Sequence, residues 1–322
     1  MIEVRNLTKR YGPNTAVDNL SFTVEDNMVY GFLGPNGAGK STTMNIMTGY
    51  LSTTEGDVII NGHSIIDEPE AAKENIGFLP ELPPLYTEMT PEEYLRFVAE
   101  IKKIPKAKIN EELDEAIAKT GLQEYRHRLI KNLSKGYRQR VGFAEAIIGK
   151  PPVIILDEPM VGLDPIQIIE MRNLIKELGE EHTVILSSHI LSEVSEVCDK
   201  IMIIAKGKLV AMGSPTELEQ QLGGGKTVLT IKVRGSAAAV AAVIDRFEGI
   251  TYTIGEDNGE TVTLTVEYEP EKDLRDDIYF AFADARLPIV EMQAKTASLE
   301  QVFLELAGAD EIPESAEGEV TE

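Results

Sequence analysis

The eight residues Gly34-Pro35-Asn36-Gly37-Ala38-Gly39-Lys40-Ser41 constrain this chain more than any other stretch of it. Gly34, Gly37 and Gly39 reach backbone conformations closed to residues with a Cβ, so their spacing lets successive amides turn toward an anion. The preceding Val29, Tyr30, Gly31, Phe32 and Leu33 read as a short buried strand, and Thr42 to Gly49 read as the start of a helix. A helix beginning near Lys40 adds unsatisfied N–H groups and the positive end of its dipole. The segment therefore predicts a phosphate cradle formed by residues 34 to 42. In it Lys40 neutralises charge on β- and γ-phosphates, and Ser41 offers its hydroxyl to Mg²⁺.

A second element lies far down the chain. Val153, Ile154, Ile155 and Leu156 form a continuous apolar run that ends in Asp157-Glu158-Pro159. Such a run suits a central parallel strand whose carboxylates emerge at its C-terminal edge. Asp157 is placed to reach the Mg²⁺ hydration shell. Strand alternation puts Glu158 on the opposite side, where it can orient or deprotonate an attacking water.

Just before that strand, Leu133-Ser134-Lys135-Gly136-Tyr137-Arg138-Gln139-Arg140 resembles the signature motif of ATP-binding-cassette ATPases. Gly162-Leu163-Asp164-Pro165 follows the acidic pair, and His189 follows the strand-like Thr183 to Leu186, both in that family's order. Tyr11 stands 23 residues before Gly34, where the family places an aromatic ring on adenine. The resemblance spans residues 1 to 220 or so and implies an α/β fold: a P-loop NTPase cassette with a parallel core sheet, an antiparallel β layer and a helical subdomain. It implies ATP and Mg²⁺ as cofactors. It further implies that Ser134 and Gly136 touch the γ-phosphate of ATP held by a second copy in a head-to-tail dimer. Asp164 would lie at the contact between copies, and His189 would bond the γ-phosphate and hold Glu158 and the water.

Two departures stand out within the resemblance. The family usually has Gln where this chain has Glu81, in Gly77-Phe78-Leu79-Pro80-Glu81, at the loop that senses Mg²⁺ and touches the transport partner. A carboxylate there can still accept from a metal-bound water. Lys135 and Tyr137 replace the common Gly and Gln. Glu81 and Lys135 both look like their counterparts in cassettes that serve drug, lipid or polysaccharide exporters. The implied activity is ATP hydrolysis that drives transport, with export as the direction, through a separate integral-membrane permease that holds the chain at the cytoplasmic face of the membrane. The competing class is a soluble cassette ATPase of translation or DNA repair. Those usually carry two cassettes in one chain, or a long coiled-coil insertion between phosphate loop and signature, and neither feature is present here.

Charge narrows the partners. With 54 acidic against 31 basic side chains, the chain has no general attraction to nucleic acid or to an anionic membrane surface. The single cysteine, Cys198, suits a reducing compartment and reads as a small buried residue rather than a reactive thiol. Met1 to Arg5 lack the pattern of a signal peptide, and stretches without a polar side chain, such as Ala237 to Ile244, fall far short of the roughly 20 residues that span a bilayer.

The expected organisation is a cassette over 1–222, with short strands at Ile2 to Val4, Ser21 to Val24 and Asp57 to Ile60, and a helical subdomain at about 91–150. Lys102, Lys103, Lys106 and Lys108 read there as a solvated face. Gly223 to Gly225 form a flexible joint. Beyond it, residues 226–308 read as strand, helix, strand, strand, helix, strand, which matches a small α+β ferredoxin-like domain with an accessory or regulatory role. A final amphipathic helix carries Leu299, Val302, Phe303 and Leu306 on one face. The tail, 309–322, has six acidic groups and no basic one, so disorder is expected. Residues 226 to 322 hold 8 basic and 21 acidic side chains, 13 of the chain's 23 net negative charges.

Overall fold

The first two strands are longer than their apolar pattern suggests, and the reason is local. In β1 (Ile2–Tyr11) and β2 (Asn14–Val24), Asn6 and Asn19 take left-handed conformations with φ of 49° and 51°, and their side chains bond each other at 3.0 Å. The register of the antiparallel pair shifts there, between Val4 opposite Phe22 and Leu7 opposite Leu20. This paired bulge re-phases which residues point inward, so simple alternation breaks at Val4 although the strands continue. The structure, a computed structural model, describes residues 1–222, 227–269 and 272–296. The expected glycine joint, the helix over 299–306 and the acidic tail lie outside the described residues.

The elements that follow are β3 (Val29–Leu33), α1 (Lys40–Met47), β4 (Glu55–Ile60), β5 (His63–Ser64), α2 (Pro69–Glu74) and β6 (Ile76–Leu79). A helical stretch comes next, with α3 (Pro91–Ile101), α4 (Lys106–Lys119) and α5 (Lys135–Ile147). The chain then alternates through β7 (Val153–Leu156), α6 (Pro165–Glu181), β8 (Thr183–Ser188), α7 (Leu191–Val197), β9 (Lys200–Ala205), β10 (Lys208–Gly213) and α8 (Pro215–Leu222).

Two sheets result. One is antiparallel, in the order β2-β1-β4-β5; the other has the order β10-β9-β3-β8-β7-β6 and is parallel except where β10 joins β9. Every residue of β3, β7 and β8 is buried, which is why Val29 to Leu33, Val153 to Leu156 and Val184 to Leu186 read as apolar runs. Phe22 and Phe32 meet edge to face at 5.3 Å, within one apolar cluster that also holds Ile60, Ile155, Ile185 and Met202. Cys198 is buried, and a methyl group on Gly31 of β3 would lie 3.0 Å from its Sγ. Burial pushes its thiol pKa up, so it packs rather than reacts. The parallel strands end together on one edge, where loops from β3, β6, β7 and β8 converge.

Four strands, β11 (Thr227–Arg234), β12 (Ile250–Asp257), β13 (Thr261–Tyr268) and β14 (Ile289–Thr296), form a separate antiparallel sheet in the order β12-β13-β11-β14. α9 (Ala237–Ile244) and α10 (Arg275–Asp284) bury Val240, Ile244, Ile278 and Phe282 with Ile231, Val233, Leu264 and Val266 of the sheet. The order of elements is the split β-α-β-β-α-β unit. By their internal contacts the residues divide into Met1–Pro215 and Thr216–Glu322, so the division falls at the start of α8, ahead of the glycine triplet.

Candidate nucleotide site

The loop from β3 to α1 is held between both sheets of the first unit. A methyl group on Gly34 would lie 2.3 Å from Ile204 O of β9, and one on Gly39 would lie 2.5 Å from Ala16 O of β2. Gly37 has open space around it but a φ of 80°, so its requirement is conformational. Gly39, at φ 104°, precedes α1 without a side-chain cap, which leaves first-turn amides of that helix free to face an anion.

Lys40 is only 6% exposed. Its Nζ donates to Gly34 O at 2.7 Å and to Pro35 O at 3.2 Å, and stands 4.0 Å from Glu158 Oε1. Burial pulls its pKa below the ordinary lysine value, and the Glu158 and Asp157 carboxylates oppose that fall.

The acidic pair departs from the expected alternation. β7 ends at Leu156; Glu158 has a φ of 48°, a left-handed conformation that costs a residue with a Cβ roughly 1 kcal/mol or more. Asp157 accepts from Ser41 Oγ at 3.2 Å and from Ser187 Oγ at 2.6 Å, while the Glu158 N–H donates to the same Ser187 Oγ at 2.8 Å. One hydroxyl therefore ties the two acids together, and both serve the phosphate loop instead of opposite faces of a strand. His189 Nδ1 lies 3.2 and 3.1 Å from the two Glu158 oxygens, as donor, because a carboxylate only accepts. Ser188 fixes the turn that presents it, donating to Glu193 Oε2 at 2.7 Å and accepting from Ile190 N at 3.0 Å.

These groups enclose a cleft of about 420 Å³ lined by Ala16, residues 36–42, Glu81, Glu158, Val161 and His189. Gly34 and Pro35 stand behind it through their bonds to Lys40, and Asp157 through Ser41. Four further predicted residues neither line the cleft nor bond to a residue that does through the contacts above. Tyr11 ends β1, 49% exposed, with Lys9 Nζ 5.3 Å from its ring centre. Ser134 caps α5 by accepting from Tyr137 N at 3.4 Å, Gly136 lies buried in the first turn of that helix, and Asp164 caps α6 by accepting from Gln167 N at 2.9 Å.

Sequence reading missed Ser187, Ala16 and Val161. Ser187 carried a usable signal, as the first polar side chain after the apolar Val184 to Leu186 in a strand ending at the site edge. Ala16 offers its backbone, which no motif announces.

A family model for ABC transporters matches residues 17–161. The ABC transporter ATP-binding protein YhcH of Bacillus subtilis is 36% identical over 311 residues, covering 96% of this chain and 96% of that one. The linearmycin resistance ATP-binding protein LnrL of the same organism is 31% identical over 309 residues, 96% of this chain and 98% of its own. A solved ATP-binding subunit of an ABC transporter superposes with a TM-score of 0.64 at 31% identity, over 69% of this chain and 93% of that structure.

Proposed function

Because this chain belongs to the ABC transporter family, as one of its ATP-binding ATPases, we propose that it powers export through a separate integral-membrane permease by closing on a second copy of itself around ATP and Mg²⁺. The observation that carries this reading is the line of bonded groups Ser41–Asp157–Ser187–Glu158–His189 set beside Lys40. It combines phosphate binding with a positioned base.

The residue roles follow from the geometry. The loop amides and Lys40 take the β- and γ-phosphates. Ser41 and Asp157, 3.2 Å apart, supply the hard oxygen ligands that suit Mg²⁺, with Glu81 able to accept from one of its waters. The ion, when bound, would draw charge from the phosphate oxygens. Glu158 orients and deprotonates the water. With Nδ1 of His189 engaged by Glu158, Nε2 is the nitrogen left for the γ-phosphate. Tyr11 offers its half-exposed ring to adenine. Ser134, Gly136 and Asp164 stand outside their own cleft, so they complete a site on a second copy, and hydrolysis removes the phosphate that bridges the two.

A second groove, of about 480 Å³, gives the permease a seat. Its walls are mostly apolar, from Tyr50, Ile76, Phe78, Pro80, Leu82 and Pro84, with Lys102 and Glu145 as the charged members. Tyr50 is 83% exposed and Leu82 75%. Pro80 and Leu82 line this groove while Glu81, between them, lines the nucleotide cleft, so one tripeptide feels both occupants. Lys102, Lys103, Lys106 and Lys108 are all exposed, as the sequence suggests, but the Lys102 side chain also turns back onto the end of a helix. Its ammonium donates to Glu145 O and Ile148 O, each at 2.9 Å, closing the end of α5, and burial of the ammonium brings its pKa down to about 8. Among the described residues no helix is long and apolar enough to cross a membrane. The permease then supplies the attachment to the cytoplasmic face. The relatedness to transporter ATP-binding proteins along 96% of the chain favours this over a soluble role in translation or repair.

Purification of the full chain from its native membranes, followed by identification of co-isolated proteins, tests the partner. An integral-membrane protein is expected to copurify and to be lost from Leu82→Asp, whose carboxylate enters the apolar groove. Recovery of a ribosomal or DNA-repair factor instead would overturn the transport reading.

The segment after residue 222 is proposed as a regulatory or dimer-stabilising appendage. Each unit has its own apolar core, so a chain ending at Leu222 is expected to fold and bind ATP. Sedimentation and ATPase assays should show altered subunit association or basal rate without abolition. A folded truncation that no longer binds nucleotide would place the appendage in the site.

A further inference from the structure

The turn that opens α5 and the loop that leaves Glu158 are keyed together by two side chains, each laid across a glycine of the other segment. The end of the Lys135 side chain crosses Gly162: a methyl group there would lie 2.2 Å from Nζ, 2.9 Å from Cε and 3.2 Å from Cδ. In the reverse direction the Gln167 amide crosses Gly136, where a methyl group would lie 2.4 Å from Oε1, 2.7 Å from Cδ and 2.8 Å from Nε2. Gln167 is itself fixed, because its Oε1 accepts from Asp164 N at 3.4 Å and its N–H reaches Asp164 Oδ1 at 2.9 Å.

The loop between these contacts and the base is short and internally bonded. Val161 N–H donates to Glu158 O at 3.2 Å, and Leu163 N–H to Met160 O at 3.3 Å. One helical turn further on, Arg140 of α5 pairs with Glu170 of α6. These contacts leave little slack between the signature turn and the peptide that carries Glu158. Among the described residues no carboxylate lies within ion-pair distance of Lys135, which makes its seat over Gly162 one of shape.

We propose that Lys135 and Gln167 make residues 134–136 and 158–167 one moving piece, so that nucleotide of a second copy, on engaging the signature turn, sets Glu158 over the nucleotide of its own subunit. Lys135 is then a positioning residue that couples two sites. The inference rests on the head-to-tail dimer proposed above and adds to it a route between its sites.

The test compares full-length wild type, Lys135→Ala, Lys135→Met and Lys135→Arg by ATP titration of steady-state hydrolysis, with ADP affinity as a separate measurement. Wild type is expected to show a Hill coefficient well above one. Lys135→Ala should bring it to about one and lower kcat by up to about 10²-fold, the loss that a misplaced reacting group can cause, while ADP affinity at the Lys40 cradle stays within about twofold. Lys135→Met, which keeps an unbranched chain out to Cε and loses the terminal Nζ with its charge, should restore most of the cooperativity, because Cδ and Cε also lie across Gly162. If only Lys135→Arg restores it, the contact is electrostatic and the keyed-shape proposal fails. Sedimentation of the Glu158→Gln chain with ATP separates the two readings. Unchanged cooperativity in Lys135→Ala when that chain dimerises overturns the coupling alone, whereas a chain that stays monomeric overturns the dimer and the coupling with it.

Discussion

Glu158→Gln is expected to leave ATP binding intact while slowing hydrolysis by about 10² to 10⁴-fold, the loss associated with a missing general base. The amide matches the carboxylate in shape and can still meet His189 Nδ1, which now lies 3.1 Å from Oε2. The substitution also removes a negative charge 4.0 Å from Lys40, which leaves more of the ammonium's field for the phosphates. Slow turnover together with undiminished binding should make ATP-bound dimers accumulate. Both quantities are measurable on purified protein, by phosphate release and by sedimentation with ATP. Near-normal turnover would remove Glu158 from the role of base.

Lys40→Ala acts one step earlier. Truncating one partner of a buried charged contact costs 2 to 5 kcal/mol in general, which corresponds to about 30-fold to a few thousand-fold in affinity. Loss of the ammonium also strips Gly34 O and Pro35 O of their donor, so part of the effect falls on the shape of the loop. Nucleotide titration should show weakened binding of ATP and ADP alike, whereas Glu158→Gln spares both. Unchanged affinity would contradict the phosphate-loop assignment. A thermal melt without nucleotide checks that the variant folds.

The parts of the site legible in sequence were those concentrated in contiguous residues. Gly34 to Ser41 and the run Val153 to Glu158 each sit where a strand ends, and the structure brings both to one edge of the parallel sheet. The strand–helix order after residue 226 was legible because its apolar positions alternate cleanly, as in β13, where every second residue is buried. Elsewhere local geometry overruled the pattern. The side that Glu158 takes could not be read, because alternation holds only inside a strand and this residue has already left it in a left-handed conformation. β1 and β2 looked short because the Asn6–Asn19 bulge shifts the inward phase halfway along. Ser187 and Ala16 contribute from separate elements: the change from apolar Val184 to Leu186 to a hydroxyl at the strand's end marks Ser187, whereas nothing in the neighbours of Ala16 distinguishes it from an ordinary strand residue. Gly136 was expected for its approach to a phosphate, and the Gln167 amide gives it a second requirement within its own subunit.

The resting position of Lys40 has a consequence for how fast and how selectively the cleft fills. Its ammonium already left water when the chain folded, and it bridges Gly34 and Pro35 from inside the turn. A cradle held in this way is preorganised, and arriving nucleotide does not bear the entropy of ordering it. What the ligand must do is exchange partners with those two carbonyls. A polyphosphate, which meets the helix amides at the same time, is expected to gain more from that exchange than a single small anion such as chloride, so chloride should compete only weakly in nucleotide titrations.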